Sequence, residues 1–233
     1  MELSTQKNNG VPTCVGIIMD GNRRHAKRAG LPTLEGHRKG YEKLKDVCAW
    51  AKSAGVRELI VYAFSSENWN RTQEEVGYLM NLFREMIGMM ITKAIKEDTR
   101  LIFLGERSRI APDIRDAIVR AEAETESGAS FTIGIALSYG GRAEIIDAIH
   151  HIPPESRTTL TEAEFGKLLW TKDMNDPDLI IRTSGEERLS DFLPWQTVYS
   201  ELVFTNTLWP DFTQTEFLSI LKNYDERDRR RGK

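Results

Sequence analysis

An acid, a glycine, an amide and two arginines follow the first apolar run of the chain. The run covers residues 15–19, and the polar group after it is Asp20, Gly21, Asn22, Arg23 and Arg24. Arginine side chains bind phosphate oxygens two at a time, and the free N–H groups at the start of a helix attract the same anion. A carboxylate repels phosphate unless a divalent cation lies between them, so we expect Asp20 to bind Mg²⁺ together with a phosphate substrate. The alternative is a strand-end acid that caps a helix beside a solvated basic turn.

Two further apolar runs also end in polar clusters. Residues 59–64 are followed by Ser65, Ser66, Glu67, Asn68, Trp69 and Arg71. Residues 178–181 are followed by Arg182, Arg188 and Ser190. Open parallel sheets bind ligands at the carboxyl ends of their strands, so we expect the three clusters to meet at one edge of a sheet. For the second cluster, an ordinary loop with Ser and Asn turns is the alternative.

Apolar strand-like runs and amphipathic helix-like runs alternate along the chain, which predicts an α/β fold. The predicted strands cover residues 15–19, 59–64, 101–104, 131–137, 178–181 and 201–205. The predicted helices cover residues 22–29, 36–54, 74–97, 109–127, 143–150, 165–170 and 215–224. His37 falls in the first turn of the second helix, where it is either a structural histidine or a further ligand of the anion. We expect one domain with a central, mostly parallel six-stranded sheet flanked by helices.

The longest predicted helix, at residues 74–97, carries an apolar stripe that is rich in methionine. Met80, Phe83, Ile87 and Met90 lie on it. Most such stripes are core, but flexible methionine side chains also suit an adaptable apolar cavity. The stripe therefore belongs either to the core or to the wall of an apolar tunnel, and in the second case a bulky residue at Ile87 is expected to block the tunnel.

Composition limits the classes of protein that need to be considered. A chain of 233 residues suits one large domain, and its net charge of -3 gives no general attraction for nucleic acid. Cys14 and Cys48 are far apart and lack a CxxC or His/Cys cluster, which argues against a disulfide or a zinc site. Residues 1–14 form a polar N-terminal tail, and no 18 apolar residues run together. These features predict a cytoplasmic protein without a signal peptide.

Five motifs taken together resemble those of the cis-prenyltransferases, and in particular the bacterial undecaprenyl diphosphate synthases. They lie at residues 19–24, 62–69, 138–141, 181–186 and 208–212. The resemblance spans about residues 15–232 with the motifs in order, so residues 15–233 are assigned to one catalytic domain. It implies the condensation of isopentenyl diphosphate with an allylic diphosphate, farnesyl diphosphate being the expected primer. The implied product is a medium-chain polyprenyl diphosphate of the undecaprenyl class, a lipid carrier for cell-wall synthesis.

The resemblance also implies roles for individual residues. Asp20 and Asn68 match catalytic positions, and Asp20 and Glu201 match acids of the Mg²⁺ site. The positions that match the allylic diphosphate site are Gly21, Asn22, Arg23, Arg24, His37 and Arg71. His25, which stands where the family usually carries an aromatic residue, is also expected to contact substrate. The reacting-centre loop is matched by Ser65, Ser66, Glu67 and Trp69, and the isopentenyl diphosphate site by Arg182, Arg188 and Ser190. Arg230 belongs to a C-terminal RxG-type tail that implies a homodimer with a shared active site, and the apolar product implies contact with the inner face of the membrane.

Two other classes of protein also bind phosphate and are the alternatives. A catalytically silent, phosphate-binding partner subunit of a prenyltransferase complex would lack the metal acid or the phosphate-binding arginines. Asp20, Arg24, Arg71 and Glu201 are all present. A nucleotide-binding regulator is disfavoured because neither a Walker A loop nor a GxGxxG motif follows the first strand.

Overall fold

Six short segments form one sheet in the computed structural model, which describes residues 10–227 of the chain. The strands are β1 (Cys14–Ile18), β2 (Glu58–Ser65), β3 (Thr99–Leu104), β4 (Phe131–Tyr139), β5 (Leu179–Arg182) and β6 (Glu201–Phe204). Their order across the sheet is β3-β4-β2-β1-β5-β6, and every ladder in the described range is parallel. The predicted single-domain α/β fold with a six-stranded sheet is confirmed. Residues 1–9 and Arg230 lie outside the described residues.

Helices connect the strands close to the predicted positions. They are α1 (Asn22–Arg28), α2 (Thr33–Ser53), α3 (Gln73–Lys96), α4 (Pro112–Glu124), α5 (Gly141–His150), α6 (Glu162–Gly166) and α7 (Gln214–Asp225). Helix α6 begins three residues before the predicted range of 165–170 and ends within it, because Thr161 and Glu164 form a capping box that fixes its start. Within residues 10–227, no helix is long and apolar enough to span a bilayer.

Helix α2 begins at Thr33, ahead of its predicted start at residue 36. The sequence made Gly36 look like a helix boundary, whereas the structure places it inside the helix. A Cβ on Gly36 would lie 2.2 Å from the backbone oxygen of Asn22, and one on Gly40 would lie 2.4 Å from Asn22 Oδ1. The two glycines therefore permit close packing of α2 against α1, which begins with the polar residues that follow β1.

Both faces of the sheet are covered, and this fixes the position of β1. On one face, Val47, Ile87, Ile118 and Phe217 from α2, α3, α4 and α7 belong to the same buried cluster. On the other face a smaller cluster includes Phe192. Every residue of β1 is buried, as expected of a central parallel strand. The residues that follow β1 are consequently held at the centre of the sheet edge.

The free edge of β3 is closed by side chains rather than by another strand. Leu101 N donates to Thr125 Oγ1 at 3.0 Å, and Phe103 N donates to Glu122 Oε1 at 2.9 Å. Arg107 Nη2 donates to Phe103 O at 3.0 Å. Since an open strand edge can pair with other chains, these contacts protect the outermost strand of the sheet.

Replacing Thr125 by valine should lower the free energy of unfolding by about 1–3 kcal/mol, because the buried N–H group of Leu101 would lose its acceptor. Valine has nearly the same shape, so packing should change little. Urea denaturation measures the loss. Thr92→Val is the matched control, because Thr92 is an exposed threonine on α3. Equal stabilities of the two variants would show that Thr125 does not support the edge.

Candidate active site

The polar clusters after β1, β2 and β5 face one cleft at the carboxyl edge of the sheet. Strand β1 lies between β2 and β5, and Ile18 is in register with Arg182. The cleft has a volume of about 560 Å³. The predicted site residues on its wall are Asp20, Asn22, His37, Ser65, Glu67, Asn68, Arg71, Arg182 and Ser190. Parallel pairing thus brings together clusters that are distant in the sequence.

Asp20 lies between arginines from two of the clusters. Arg182 is buried and donates from Nη2 to Asp20 Oδ2 at 3.0 Å and from Nη1 to Ser190 Oγ at 2.7 Å. Arg24 Nη2 lies 3.6 Å from Asp20 Oδ1, and Arg24 Nη1 donates to Ser184 O at 2.8 Å. One carboxylate therefore holds a cation from the first cluster and a cation from the third at a fixed spacing.

The turn between Asp20 and α1 depends on Gly21. Its φ angle is 114°, in the left-handed region that favours glycine, and an added Cβ would lie 3.0 Å from Leu208 Cα. The chain can therefore enter α1 directly after Asp20. This places Arg23 and Arg24 in the first turn of α1. Neither lines the cleft wall, but Arg24 lies beside Asp20, which does.

A second ion-pair cluster lies on the α2–α3 side of the cleft, around Glu75. Arg71 Nη1 donates to Glu75 Oε1 at 2.9 Å, and His37 Nε2 lies 3.2 Å from the same oxygen. Arg23 Nη1 lies 3.9 Å from Glu75 Oε2. Burial lowers the pKa of His37, and the nearby Arg71 lowers it further, although the contact with Glu75 opposes both effects. The three side chains predicted to bind the anion are thus gathered by a carboxylate that sequence reasoning missed.

The loop after β2 forms a rigid turn. Ser65 N donates to Asn68 Oδ1 at 3.1 Å, which closes a capping box over the 3-10 turn Ser66–Asn70. Trp69 Nε1 donates to Ser138 Oγ at 2.9 Å, and the Arg109 guanidinium lies 4.8 Å from the centre of the indole ring. Asn68 is therefore held at the cleft by the backbone, while Trp69 is fixed against the end of β4.

The loop that carries Ser190 is fixed by groups to which the sequence assigned no role. Tyr62 Oη donates to Ser190 O at 3.3 Å, and Arg142 N donates to Asp191 Oδ1 at 3.1 Å. Ser190 and Asp191 have φ angles of 50° and 64°, a strained conformation that surrounding contacts must maintain. The motif at residues 138–142 was visible in the sequence, but only the fold shows that it supports this loop. The same motif brings Gly140 so close to Ser66 that a Cβ would lie 2.5 Å from Ser66 Oγ.

Two residues expected to bind substrate are paired with acids of their own. His25 Nδ1 lies 3.0 Å from Asp211 Oδ1, and His25 is not on the cleft wall. Arg188 forms an ion pair with Glu186, with most of its side chain exposed. Only the backbone oxygen of Arg188 reaches the cluster, where it accepts from Arg182 Nη1 at 2.5 Å. Their predicted contacts with substrate stay predictions.

Glu201 does not meet Asp20 within one chain, contrary to the expected pair of metal ligands. Glu201 begins β6 and is in register with Leu179, the first residue of β5. Asp20 follows the opposite end of β1, where the neighbouring β5 ends at Arg182. The strands are parallel, so the two acids lie at opposite ends of their strands. Five residues separate them by roughly 17 Å along the strand direction, and two strand spacings separate them across the sheet. Glu201 is paired instead with Arg227.

The donor set around Asp20 fits Mg²⁺ held jointly with a substrate, but not a cage made by the protein alone. In the described part of the chain, no group of three or more His, Cys, Asp or Glu side chains could hold a metal ion. Mg²⁺ commonly takes one or two carboxylates together with substrate phosphates and water. Asp20 is partly exposed and faces the cleft between two arginines, which matches that pattern.

An apolar channel leads away from the cleft between α2, α3 and the sheet. The cleft shares Met19, Ala63 and Leu79 with an apolar cavity of about 90 Å³. That cavity shares Tyr41, Leu44 and Met90 with a distal cavity of about 260 Å³. The three spaces therefore follow one another from the polar cleft along α3.

The stripe of α3 that lines the channel matches the predicted stripe only in part. Phe83 and Met90 line it as predicted, together with Leu79, Leu82 and Met86. Met80 and Ile87 are buried but line none of the three spaces. Each follows a channel residue by one position, which turns it about 100° around the helix, toward the core. The expected tunnel role of Ile87 is wrong for this reason.

The cleft gathers arginines around one acid, and an apolar channel adjoins it. These two features are typical of the class of proteins that bind a ligand with an anionic head group and an apolar tail. The chain belongs to the family described as putative undecaprenyl diphosphate synthases, a prenyltransferase family whose model matches residues 18–232. The resemblance seen in the sequence motifs is thereby confirmed. The enzyme class, an isoprenyl transferase, is that of the family.

Individual relatives support the same assignment. The isoprenyl transferase of Thermotoga maritima is 43% identical, with 95% of this chain and 97% of the relative covered. That of Fusobacterium nucleatum is 42% identical, with 95% and 96% covered. Lavandulyl diphosphate synthase from Lavandula x intermedia, in complex with dimethylallyl diphosphate, gives a TM-score of 0.92 at 32% identity, with 97% and 100% covered. A probable undecaprenyl diphosphate synthase from Campylobacter jejuni gives 0.81 at 30%, with 95% and 99% covered.

Proposed function

We propose that the protein condenses isopentenyl diphosphate with an allylic diphosphate, farnesyl diphosphate, and repeats the step to give a medium-chain cis-polyprenyl diphosphate. One observation carries the proposal: the cleft with two separate arginine clusters shares wall residues with the apolar channel along α3. A product of the undecaprenyl class, serving as a lipid carrier for cell-wall synthesis, is the specific form of the proposal.

Two anionic substrates must be held side by side in this reaction. A carbon–carbon bond forms between them, the allylic diphosphate leaves as inorganic diphosphate, and the isopentenyl unit loses a proton as its double bond moves. Arg23, His37 and Arg71 would hold the diphosphate that leaves, and Arg182 with Ser190 would hold the other. Binding in separate clusters overcomes the repulsion between the substrates and turns their encounter into a positioned step.

Negative charge builds on the leaving diphosphate as its bond to carbon breaks. Arg24 and Arg23, at the start of α1, are placed to stabilise that charge. Asp20 would hold Mg²⁺, which when bound neutralises further charge on the diphosphate. Asn68, fixed by Ser65 N, would orient substrate beside the reacting atoms.

The growing chain would lie in the channel. The wall of the middle cavity is almost entirely apolar beyond Asn22 and His37, so each isoprene unit that enters it moves from water into apolar surroundings. The distal cavity adds apolar wall from Met89, Ala94 and Ile133, with charged side chains such as Lys52 and Lys93 also on its lining. The release of the apolar product to a membrane follows from the same chemistry. A cytoplasmic location with contact at the inner face of the membrane stays a prediction from the family resemblance.

A homodimer is proposed with this function. Val198, Tyr199 and Leu202 are exposed, and Leu202 belongs to the edge strand β6. A second copy would cover such an apolar edge.

If the C-terminal tail completes the partner's site, mixing an Arg230→Ala chain with an Asp20→Ala chain should restore part of the activity lost in each. The recovery arises because a mixed dimer retains one site with both groups intact. Turnover of isolated heterodimers measures it. Verified heterodimers without any turnover would count against a shared site.

The proposed reaction is tested by incubating the protein with Mg²⁺, farnesyl diphosphate and labelled isopentenyl diphosphate, followed by sizing of the products. A ladder that ends near eleven isoprene units is the expected result for an undecaprenyl-class enzyme. Binding of diphosphates without any product would instead indicate a silent partner subunit. No feature of the described cleft favours that alternative.

A further inference from the structure

Glu75 occupies an unusual position for a carboxylate in a site that must bind diphosphate. Its side chain is 10% exposed, and it lies in the first turn of α3, beside the cleft. Oε1 contacts both Arg71 and His37, at 2.9 and 3.2 Å, and Oε2 faces Arg23 at 3.9 Å. All three partners belong to the cluster that would receive the allylic diphosphate.

A buried carboxylate among these cations can act in two opposite ways. It can align the cations and so improve binding, or it can compete with the incoming phosphate for the same N–H groups. These three side chains differ in how freely they can leave it. The Arg23 side chain is 63% exposed and that of Arg71 is 28% exposed, whereas that of His37 is only 9% exposed. The two guanidinium groups can therefore exchange partners while His37 stays against Glu75.

From this geometry we infer that Glu75 is an internal competitor for the diphosphate, which takes back Arg71 and Arg23 when inorganic diphosphate leaves. The inference rests on the proposed function, because each condensation leaves one diphosphate in this cluster that must depart before the next round. No covalent step is involved: guanidinium hydrogen bonds pass from phosphate oxygens to carboxylate oxygens. Glu75 thus lowers the affinity of the cluster and speeds the repeated cycle.

The two possible roles predict opposite signs. In Glu75→Gln, the competing charge is lost while the side chain keeps its shape. The affinity for inorganic diphosphate should rise about tenfold or more, the range expected for a hydrogen bond to a charged group. The first condensation, measured in a single turnover, does not wait for diphosphate to leave, so it is the internal reference for the later rounds. Because diphosphate release becomes slower, the steady-state rate of elongation should fall by about the same factor as the diphosphate affinity rises.

Isothermal titration with inorganic diphosphate and Mg²⁺ measures the affinity, and rapid-quench kinetics measures the two rates. Glu74→Gln is the matched control, because it removes the same charge from the adjacent residue, which is exposed on the same turn of α3. Its diphosphate affinity should stay within about twofold of wild type. Glu75→Asp keeps an acid at the start of the helix, which favours folding, and by drawing the carboxylate back should tighten diphosphate binding by a smaller factor.

Weaker or unchanged diphosphate binding in Glu75→Gln or Glu75→Asp would overturn the inference and assign Glu75 to alignment of the cations. A similar gain in Glu74→Gln would also overturn it, since a general charge effect would then explain the result. Absence of product from the wild-type protein would instead contradict the proposed function. The diphosphate titration still tests Glu75 in that case.

Discussion

Replacing Asp20 by asparagine is expected to lower kcat by about a thousandfold, because charge stabilisation worth several kcal/mol would be lost as the leaving group departs. The physical reason lies in the donor set. Asp20 is the cleft acid that lies between Arg182 and Arg24, and an amide in its place cannot supply the negative charge that draws Mg²⁺ to the diphosphate. Steady-state kinetics over a range of Mg²⁺ concentrations measures the effect.

The fold should tolerate this substitution. The Asp20 side chain is 31% exposed, and asparagine can still accept a hydrogen bond from Arg182. Arg182 also keeps its contacts with Ser190 Oγ and Arg188 O. Thermal unfolding should therefore change little, which separates a loss of chemistry from a loss of structure.

Asp113→Asn is a suitable control, because Asp113 is an exposed acid on α4 that pairs with Arg84. Its kcat should match that of the wild-type protein. If Asp20→Asn kept a near wild-type rate at every Mg²⁺ concentration, Asp20 would have no part in the reaction. The metal would then have to be held by the substrates or by other residues.

The meeting of the clusters after β1, β2 and β5 could be predicted from the sequence for a simple reason. Parallel strands all end at one edge, so residues that follow them share that edge wherever they lie in the chain. The pairing of Ile18 with Arg182 places Arg182 next to the end of β1, where Asp20 follows. The chemistry of the cleft was therefore visible before the fold was known.

Other features depend on information that local sequence does not contain. Glu201 is the first residue of β6, and only the register with β5 shows that this puts it at the edge away from Asp20. Glu75 looks like a surface acid at the start of a helix, although its position four residues after Arg71 is a signal that could have paired the two. Which partners a charged side chain meets across the fold is set by tertiary packing.

The apolar stripe of α3 shows the same limit in another form. Phe83 and Met90 face the channel while Ile87 faces the core, and all three are apolar. Helical periodicity identifies a buried side of a helix, but it cannot separate the part that faces a cavity from the part that faces close-packed neighbours. That distinction changes which residue should control product length.

Replacing Met90 by tryptophan is expected to shorten the products. Met90 lines both the middle cavity and the distal cavity, so an indole ring there would close the passage between them. From Leu79 at the cleft to Met90, α3 rises about 16 Å, room for some three to four extended isoprene units with carbon–carbon bonds of about 1.5 Å. Chains that reach the block should stop growing and be released early.

The first condensation should be unaffected in Met90→Trp, because the arginine clusters lie at the other end of the channel. Product sizing after a single turnover and at long times separates the two effects. Thr92→Trp, which adds the same ring to an exposed position of α3, should leave the product ladder unchanged.

Ile87→Trp gives the sharpest contrast, because it adds the same bulk three residues away but in the core. Ile87 is 1% exposed, so the larger ring should lower stability by about 1–3 kcal/mol through overpacking while the product ladder stays unchanged. The opposite pattern, with a normal ladder in Met90→Trp and short products in folded Ile87→Trp, would place the growing chain on the other side of α3. Both variants add one indole ring to α3. The difference between their product ladders therefore shows which face of α3 the growing polyprenyl chain contacts.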